Sequence, residues 1–300
     1  MTDSLSENLD YRQLPQYNQY LAGQGWQIEQ RGPTALLRRR FPILGTILIL
    51  KRGDPNTPLE AIEKLVTRYR AALVKLDFDI DHRSPEAATL QTNLLNRGYC
   101  LSRLPFCPTK TIKIDLALPL EQLLEQTSSD VRRYLRKNER ENFLIRRDQT
   151  IDDFYPLLQK ASKIHRYFLP GLKNIKKQWE AFGPNLKVLT GYKDGRLLGG
   201  AMVVCQNTQA SGIYMAFSGD GLSCHLPYSM MWEAIVVAKT AGCRVLDLDG
   251  VYDERFNAPI SWKGLSVFKK KFGGVEVEYP GTYVKCRYLP TRLLTALKLL

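Results

Sequence analysis

From Phe143 to Tyr279 the apolar residues change period repeatedly, and the order of those changes restricts the fold more than any other feature of the chain. FLIRR reads as a strand, and two helices follow over 151–167 and 172–182. Three strands come next, LKVLTGYK, LLGGAMVVCQ and ASGIYMAFS, the first pair turned by Asp194 and Gly195. A helix over 226–240 leads through Ala241 and Gly242 into the strand RVLDLDG. In the stretch SWKGLSVFKKKFGGVEVEYPGTY, Leu265, Phe268 and Phe272 fall three and four apart, on one side of a short helix with Lys269, Lys270 and Lys271 off it. Gly273 and Gly274 end that helix, since glycine takes the left-handed backbone that closes a helical turn. Val275, Val277 and Tyr279 then alternate with Glu276 and Glu278 in a last strand. The order β-α-α-β-β-β-α-β-α-β predicts an α/β fold with mixed sheets.

The first half also alternates. A short helix near Tyr17–Ala22 precedes strands in TALLRRR and ILGTILILK, a helix from Thr57 to about Leu73, the strand LDFDID, a helix near Ala87–Asn96 and the strand TKTIKIDL. Asp77, Asp79 and Asp81 share one face of LDFDID; without a glycine-turned loop they read as the polar face of a strand rather than a metal site. From Leu120 to Asn142 the pattern is helical with no proline or glycine to interrupt it. Arg132, Arg136 and Arg140 are four apart there, with Arg133 and Lys137 beside them, so five cations share a broad face. That face is either a polyanion-binding patch or a solvated surface partly neutralised by Glu139 and Glu141. At 300 residues the chain is long for one core, and two domains are expected: 1–120 and 121–283, with 284–300 packing back on the first.

The 43 Lys and Arg against 30 Asp and Glu give a net charge of +13, an attractive field for nucleic acid, an anionic membrane surface or a phosphorylated substrate. The six cysteines form no CxxC pair, which argues against a zinc knuckle or a disulfide framework and for reduced thiols. The longest apolar run, Phe41–Leu50, is short of the roughly 20 residues of a membrane span, and the polar start MTDSLSENLD is unlike a signal peptide. A cytoplasmic protein is expected, with no metal and no cofactor.

The most specific residues are IYMAFSG, LPYSMMWEAIVVAKTAGCRVLDLDGV, FKKKFGG and YPGTY, with softer signals in TIKIDL and RRYLRKNER. Together they resemble the FemABX family of aminoacyl-tRNA-dependent peptidyltransferases. The element order of the second half is similar to that of the GNAT acyltransferase fold, and the first half looks like a degenerate copy. The resemblance implies two GNAT-like domains in tandem with a substrate cleft between them, here without the coiled-coil arm of some members. It implies transfer of an amino acid from its tRNA to an amine on the stem peptide of a peptidoglycan precursor, lipid-linked or nucleotide-linked. On the family pattern Lys269 is the catalytic candidate, and Tyr214, Tyr228, Asp247 and Phe268 are candidates for substrate binding. Arg132, Arg133, Arg136, Lys137, Arg140, Lys270 and Lys271 are candidates for tRNA phosphate. Asp249 stands where the family commonly has glycine, which leaves the turn there open.

An aminoacyl-tRNA ester is already activated, so such an enzyme must align an amine and stabilise an oxyanion rather than supply a nucleophile. That agrees with the lack of a nucleophile pattern around His82, His165 and His225. An acyl-coenzyme A transferase on the same fold is the main alternative, but SGDGLSCHLPYS lacks the spacing of a pyrophosphate loop and contains no arginine. A non-catalytic RNA-binding or membrane-peripheral protein is the third. For it the terminal YLPTRLLTALKLL, with Leu293, Leu294, Leu297 and Leu300 on one side, offers a face for the inner side of a membrane or for docking on its own domain. A monomer is expected.

Overall fold

A computed structural model describes residues 9–141, 143–148, 151–256 and 258–287; the terminal segment YLPTRLLTALKLL, 288–300, lies outside them. In chain order the elements are α1 (Pro15–Ala22), β1 (Gln27–Arg31), β2 (Thr34–Phe41), β3 (Gly45–Gly53), α2 (Leu59–Arg68), β4 (Leu73–Phe78), α3 (Pro85–Asn96), β5 (Cys100–Leu101) and β6 (Lys110–Asp115). There follow α4 (Leu120–Gln126), α5 (Ser129–Arg140), β7 (Leu144–Asp148), α6 (Tyr155–His165), α7 (Leu172–Phe182), β8 (Leu186–Lys193), β9 (Arg196–Gln206) and β10 (Gln209–Phe217). The last are α8 (Gly219–Ser223), α9 (Leu226–Thr240), β11 (Val245–Asp247), α10 (Trp262–Lys270), β12 (Val275–Glu278) and β13 (Tyr283–Cys286).

The chain divides into two compact units, one of residues up to Lys110 with 253–256 and 277–287, the other of Thr111–Tyr252 with 258–276. One sheet has the order β1-β2-β3-β4-β13-β5 and the other β12-β6-β11-β10-β9-β8-β7. Reading the second in reverse from β8 aligns the two: three antiparallel strands, a parallel crossover through a helix (β3-α2-β4, β10-α9-β11), then a strand taken from elsewhere in the chain, then a short edge strand. The borrowed strands are reciprocal. After β5 the chain adds β6 to the second sheet, and after β12 it adds β13 to the first. This accounts for the discontinuous make-up of the units.

In the first unit Leu36, Leu48, Leu50 and Leu76 are fully buried, and α2 covers them with Leu59, Ile62 and Leu65. Each such side chain contributes roughly 1.5–3 kcal/mol by leaving water. In the second unit α9 is buried along Leu226, Met230, Met231, Ala234, Ile235, Val237 and Ala238, which suits the central helix of a sheet rather than an amphipathic cover.

The helix expected over 120–142 is two. Ser128 accepts the Val131 N–H as the N-cap of α5, and Arg132 Nη1 donates to the carbonyls of Leu124, Glu125 and Thr127 at the end of α4. A serine cap and an arginine on the preceding carbonyls break a helix without proline or glycine. LDFDID also departs from expectation, because Asp77 is 1% exposed and inside the unit rather than on a solvated face. The turn after α10 is as expected: Gly273 and Gly274 have φ of +80° and +86°, and a Cβ on Gly274 would lie 2.6 Å from the Lys113 carbonyl.

Candidate active site

The second unit's crossover sets the geometry. β10 and β11 pair in parallel over only three positions, ending at Ser211 opposite Asp247, and β10 carries an irregularity between Gly212 and Tyr214. Beyond Asp247 the chain leaves the sheet through a turn in which Asp249 takes φ of +56°. That is the left-handed conformation for which glycine is the ordinary choice. Two contacts hold aspartate in it. Asp247 Oδ1 accepts the Asp249 N–H at 2.7 Å, and the Thr111 hydroxyl donates to the same oxygen and, at 3.0 Å, to the Asp249 carbonyl.

Lys269 completes the turn. Its ammonium donates to the carbonyls of Leu248 (2.6 Å), Asp249 (3.2 Å) and Gly250 (2.8 Å), so all three of its protons have partners. The side chain is buried, not off the apolar side of α10 as the sequence spacing suggested; Lys269 and Ser266 face inward with Phe272. Burial pushes its pKa down to about 8, with Asp249 and Asp247 opposing the shift, and it is charged at neutral pH. A buried cation on three backbone carbonyls fixes the path of 247–250. The role of these carbonyls is invisible in a sequence, because every residue has one.

Beside it lies an aromatic cluster. Tyr228 on α9 meets Phe268 and Phe272 at 5.3 and 6.2 Å between ring centres, and Tyr134 on α5 at 4.7 Å. Tyr134 stacks on His225 at 3.8 Å. Lys271 donates to the Tyr228 hydroxyl (3.2 Å) and to Asp130 (2.7 Å). Burial holds the His225 pKa below its usual value, and Lys137 and Arg133 push it the same way, so the stacked ring is neutral at pH 7. The structure therefore brings Tyr228, Phe268 and Lys271 together with α5, and adds Tyr134, which sequence reasoning passed over, and His225, which it set aside for want of a nucleophile pattern. The signal was the Tyr inside RRYLRKNER, which breaks the run of charges.

The basic helix is not one uniform face. Arg132 caps α4 and Arg133 is 2.9 Å from Asp130, whereas Arg136 and Arg140 are exposed with no ion pair among the described residues. Lys137 pairs with Glu141 at 3.5 Å, and Lys270 pairs with Glu276. Tyr214 lies on β10 past the irregularity, 6.4 Å from the Tyr167 ring. A surface hollow of about 660 Å³ in this unit is lined by Trp179, Lys187 and Val237 among others, and none of the site residues borders it.

The loop before α9 is closed on itself. Gly221 N–H donates to Ser218 Oγ, and the N–H groups of Leu222, Cys224 and His225 donate to the carbonyls of Ser218, Asp220 and Leu222. Pro227 stands in the first turn of α9 and has no N–H to offer. Of the amides that could face a pyrophosphate there, those of Gly221, Leu222, Cys224, His225 and Tyr228 are already donated within the segment, and Pro227 has none.

No family model matches the sequence, and no curated protein matches it. Solved structures do. FemX superposes with a TM-score of 0.78 over 95% of this chain and 94% of its own, at 15% identity. The fold is FemX-like. L-PGS from Bacillus licheniformis, a lysyl-phosphatidylglycerol synthetase, matches with a TM-score of 0.56 over 99% of both chains at 14% identity. A tandem GNAT protein from the clavulanic acid biosynthesis pathway matches at 0.50 over 86% of this chain and 81% of its own, at 11% identity. The chain is thus a tandem GNAT-like α/β protein, as its element order predicted, and its longest helix among the described residues is the 15-residue α9. Among those residues no helix is long and apolar enough to cross a membrane, and no group of three or more His, Cys, Asp and Glu is arranged to hold a metal.

Proposed function

We propose that the chain is an aminoacyltransferase that moves an amino acid from aminoacyl-tRNA to an amine on the stem peptide of a peptidoglycan precursor. The observation that carries this reading is the Tyr134–His225–Tyr228 cluster next to a loop before α9 that donates four of its amides within itself. A GNAT-like crossover whose loop before α9 turns the Gly221, Leu222, Cys224 and His225 amides onto itself, flanked by stacked rings and by Arg133, Arg136, Lys137 and Arg140, suits the unpaired end of an RNA better than coenzyme A. The likeness to FemX in fold supports the same reading.

In the reaction the acceptor amine nitrogen attacks the ester carbonyl, an oxyanion forms, and the C–O bond to the terminal ribose breaks as that oxygen takes up a proton from the amine. Alignment and fixed charge carry most of the rate in such a step. Lys269 acts as a positioning residue, holding the 247–250 turn on which the reacting groups are aligned. Tyr228 and Phe268 pack the donor's terminal base, and the exposed cations of α5 with Lys270 and Lys271 meet phosphate. Tyr214 and Asp247 border the place where β10 and β11 part, where the amino acid sits.

The deciding experiment supplies the protein with a mixture of charged tRNAs and a lipid-linked or nucleotide-linked muropeptide. A product heavier by one amino-acid residue is expected, with no product when acetyl-coenzyme A replaces the tRNA. Acetylation from coenzyme A, or its tight binding, overturns the proposal.

A further inference from the structure

The loop between α6 and α7 presents an apolar tip that nothing in the second unit covers. Phe168 is 86% exposed, Ile164 one helical turn earlier is 57% exposed, and Ile260 is 77% exposed. Trp262 Nε1–H donates to the His165 carbonyl at 3.0 Å, which brings the segment of Ile260 against the end of α6. The loop is held firmly. Arg166 takes the left-handed conformation that ends α6, the Tyr155 hydroxyl donates to the Pro170 carbonyl at 3.0 Å, and Tyr167 turns inward, with burial pushing its pKa up to about 12. With Tyr167 inside, its neighbour Phe168 points into solvent. A large ring held out in this way opposes the normal placement of phenylalanine and marks an interaction surface.

Charge says what the surface meets. From Phe154 to Trp179 the sequence contains Lys160, Lys163, Arg166, Lys173, Lys176 and Lys177 and no aspartate or glutamate. Lys176 pairs with Asp152 at 2.6 Å; the other five are exposed and make no ion pair among the described residues. Aliphatic Ile164 and Ile260 have no ring face for a base to stack on, so RNA would leave two of the three apolar groups without a partner. An anionic bilayer satisfies both sets at once: the apolar tip enters the boundary between headgroups and acyl chains while the cations stay at the phosphates. We infer that the α6–α7 loop, with Phe168 at its tip and Ile164 and Ile260 beside it, is a docking surface for an anionic lipid membrane. The inference stands without the transfer reaction proposed above.

The test is sedimentation of the full chain with vesicles of phosphatidylcholine alone and with added phosphatidylglycerol. Binding is expected only with the anionic lipid. Phe168→Ser should weaken it about tenfold, the order expected for removing one buried aromatic side chain. Lys163→Glu should weaken it by about fivefold or more and make it less salt-dependent. Leu95→Ser, which removes an exposed apolar group of α3 in the first unit, should leave it unchanged. Because Phe168 is almost fully exposed, its variant keeps the fold, and circular dichroism checks that. Failure of the unaltered chain to bind anionic vesicles overturns the inference, as does undiminished binding by Phe168→Ser. Loss of tRNA binding rather than vesicle binding in Phe168→Ser assigns the surface to RNA and also overturns it.

Discussion

The two units contain the same crossover and finish it differently. In the first, β3 passes through α2 to β4 and ends in Leu76-Asp77-Phe78-Asp79; in the second, β10 passes through α9 to β11 and ends in Leu246-Asp247-Leu248-Asp249. In each, a threonine on or beside the borrowed strand donates to the first aspartate, Thr282 to Asp77 at 2.8 Å and Thr111 to Asp247. The first crossover stays closed. β3 and β4 pair from Ile47–Leu73 through to Gly53–Phe78, and the Asp79 N–H still reaches the Gly53 carbonyl at 2.9 Å. Arg52, at the irregularity of β3, folds inward with φ of +52°, stacks 3.3 Å from the Tyr279 ring centre and donates to the Pro108 carbonyl. The second crossover parts after Asp247, and Lys269 holds the departing chain. A closed crossover around a buried arginine is built as core, whereas the second stops pairing at Asp247 and its departing turn is fixed by Lys269.

The largest test of this contrast is Lys269→Met, which keeps the bulk and removes three donors. The buried Leu248 and Gly250 carbonyls lose their partner, while that of Asp249 keeps the Thr111 hydroxyl, so at about 1–3 kcal/mol for each carbonyl that water cannot reach a loss of about 2–6 kcal/mol is expected in chemical denaturation. Transfer should fall to background. Unchanged stability together with near-normal turnover would remove Lys269 from both the fold and the mechanism.

The second test makes one substitution in both units and expects opposite signs. Asp77 is buried, its Oδ2 has no hydrogen-bond partner, and burial, opposed by Arg52 and Thr282, raises its pKa from 3.8 to about 6. Between those values the folded chain holds a proton that the unfolded chain has released, so stability falls as pH rises through that window, by about 3 kcal/mol in all. Asp77→Asn keeps the acceptor for Thr282 and removes the buried charge. It should stabilise the protein by about 2 kcal/mol at neutral pH and by nothing below pH 4. Asp247→Asn should instead destabilise by about 1–2 kcal/mol: Oδ1 still accepts from Thr111 and the Asp249 N–H, but these bonds lose their charge assistance and the buried Lys269 ammonium loses a negative charge that favours it. Denaturant midpoints over the acid range read both. A matching sign would mean the two carboxylates sit in equivalent surroundings after all.

Much of this contrast is written in the chain, and its legibility follows from what each signal depends on. Period changes depend on local burial, so the order of strands and helices in the second half could be read, as could the glycine turn after α10. The likeness between the halves was harder. Glu60-Ala61-Ile62 stands 17 residues before Asp77 and Glu233-Ala234-Ile235 stands 14 before Asp247, a repeat that surfaces only when the sheet orders are laid side by side. The borrowed strands could not be read at all. Nothing local in TIKIDL or TYVKC says which sheet takes it. For the same reason the burial of Asp77 was missed: alternation in LDFDID assigns one face to water, and only the strand added at 283–286, after Thr282, turns that face inward. Lys269 was legible as a cation next to phenylalanines but not as the partner of three carbonyls brought from 248–250.

The smallest expected effect isolates the threonines. Thr282→Val removes the donor to Asp77 and the acceptor of the Phe106 N–H, 2.7 Å away, while Thr111→Val removes the donor to Asp247 and the Asp249 carbonyl. Each should cost about 1–2 kcal/mol of stability, the usual range for a buried hydrogen bond lost from one side. The difference should appear in transfer. Thr111 lies under the 247–250 turn, so its loss lets the turn shift and should lower kcat several-fold with little change in KM, since alignment rather than binding is weakened. Thr282 belongs to the closed crossover, and its valine variant should turn over at the unaltered rate once compared below its unfolding range. An equal loss of kcat in both variants would show that the first crossover takes part in the reaction, and the division between a structural unit and a working one would have to be given up.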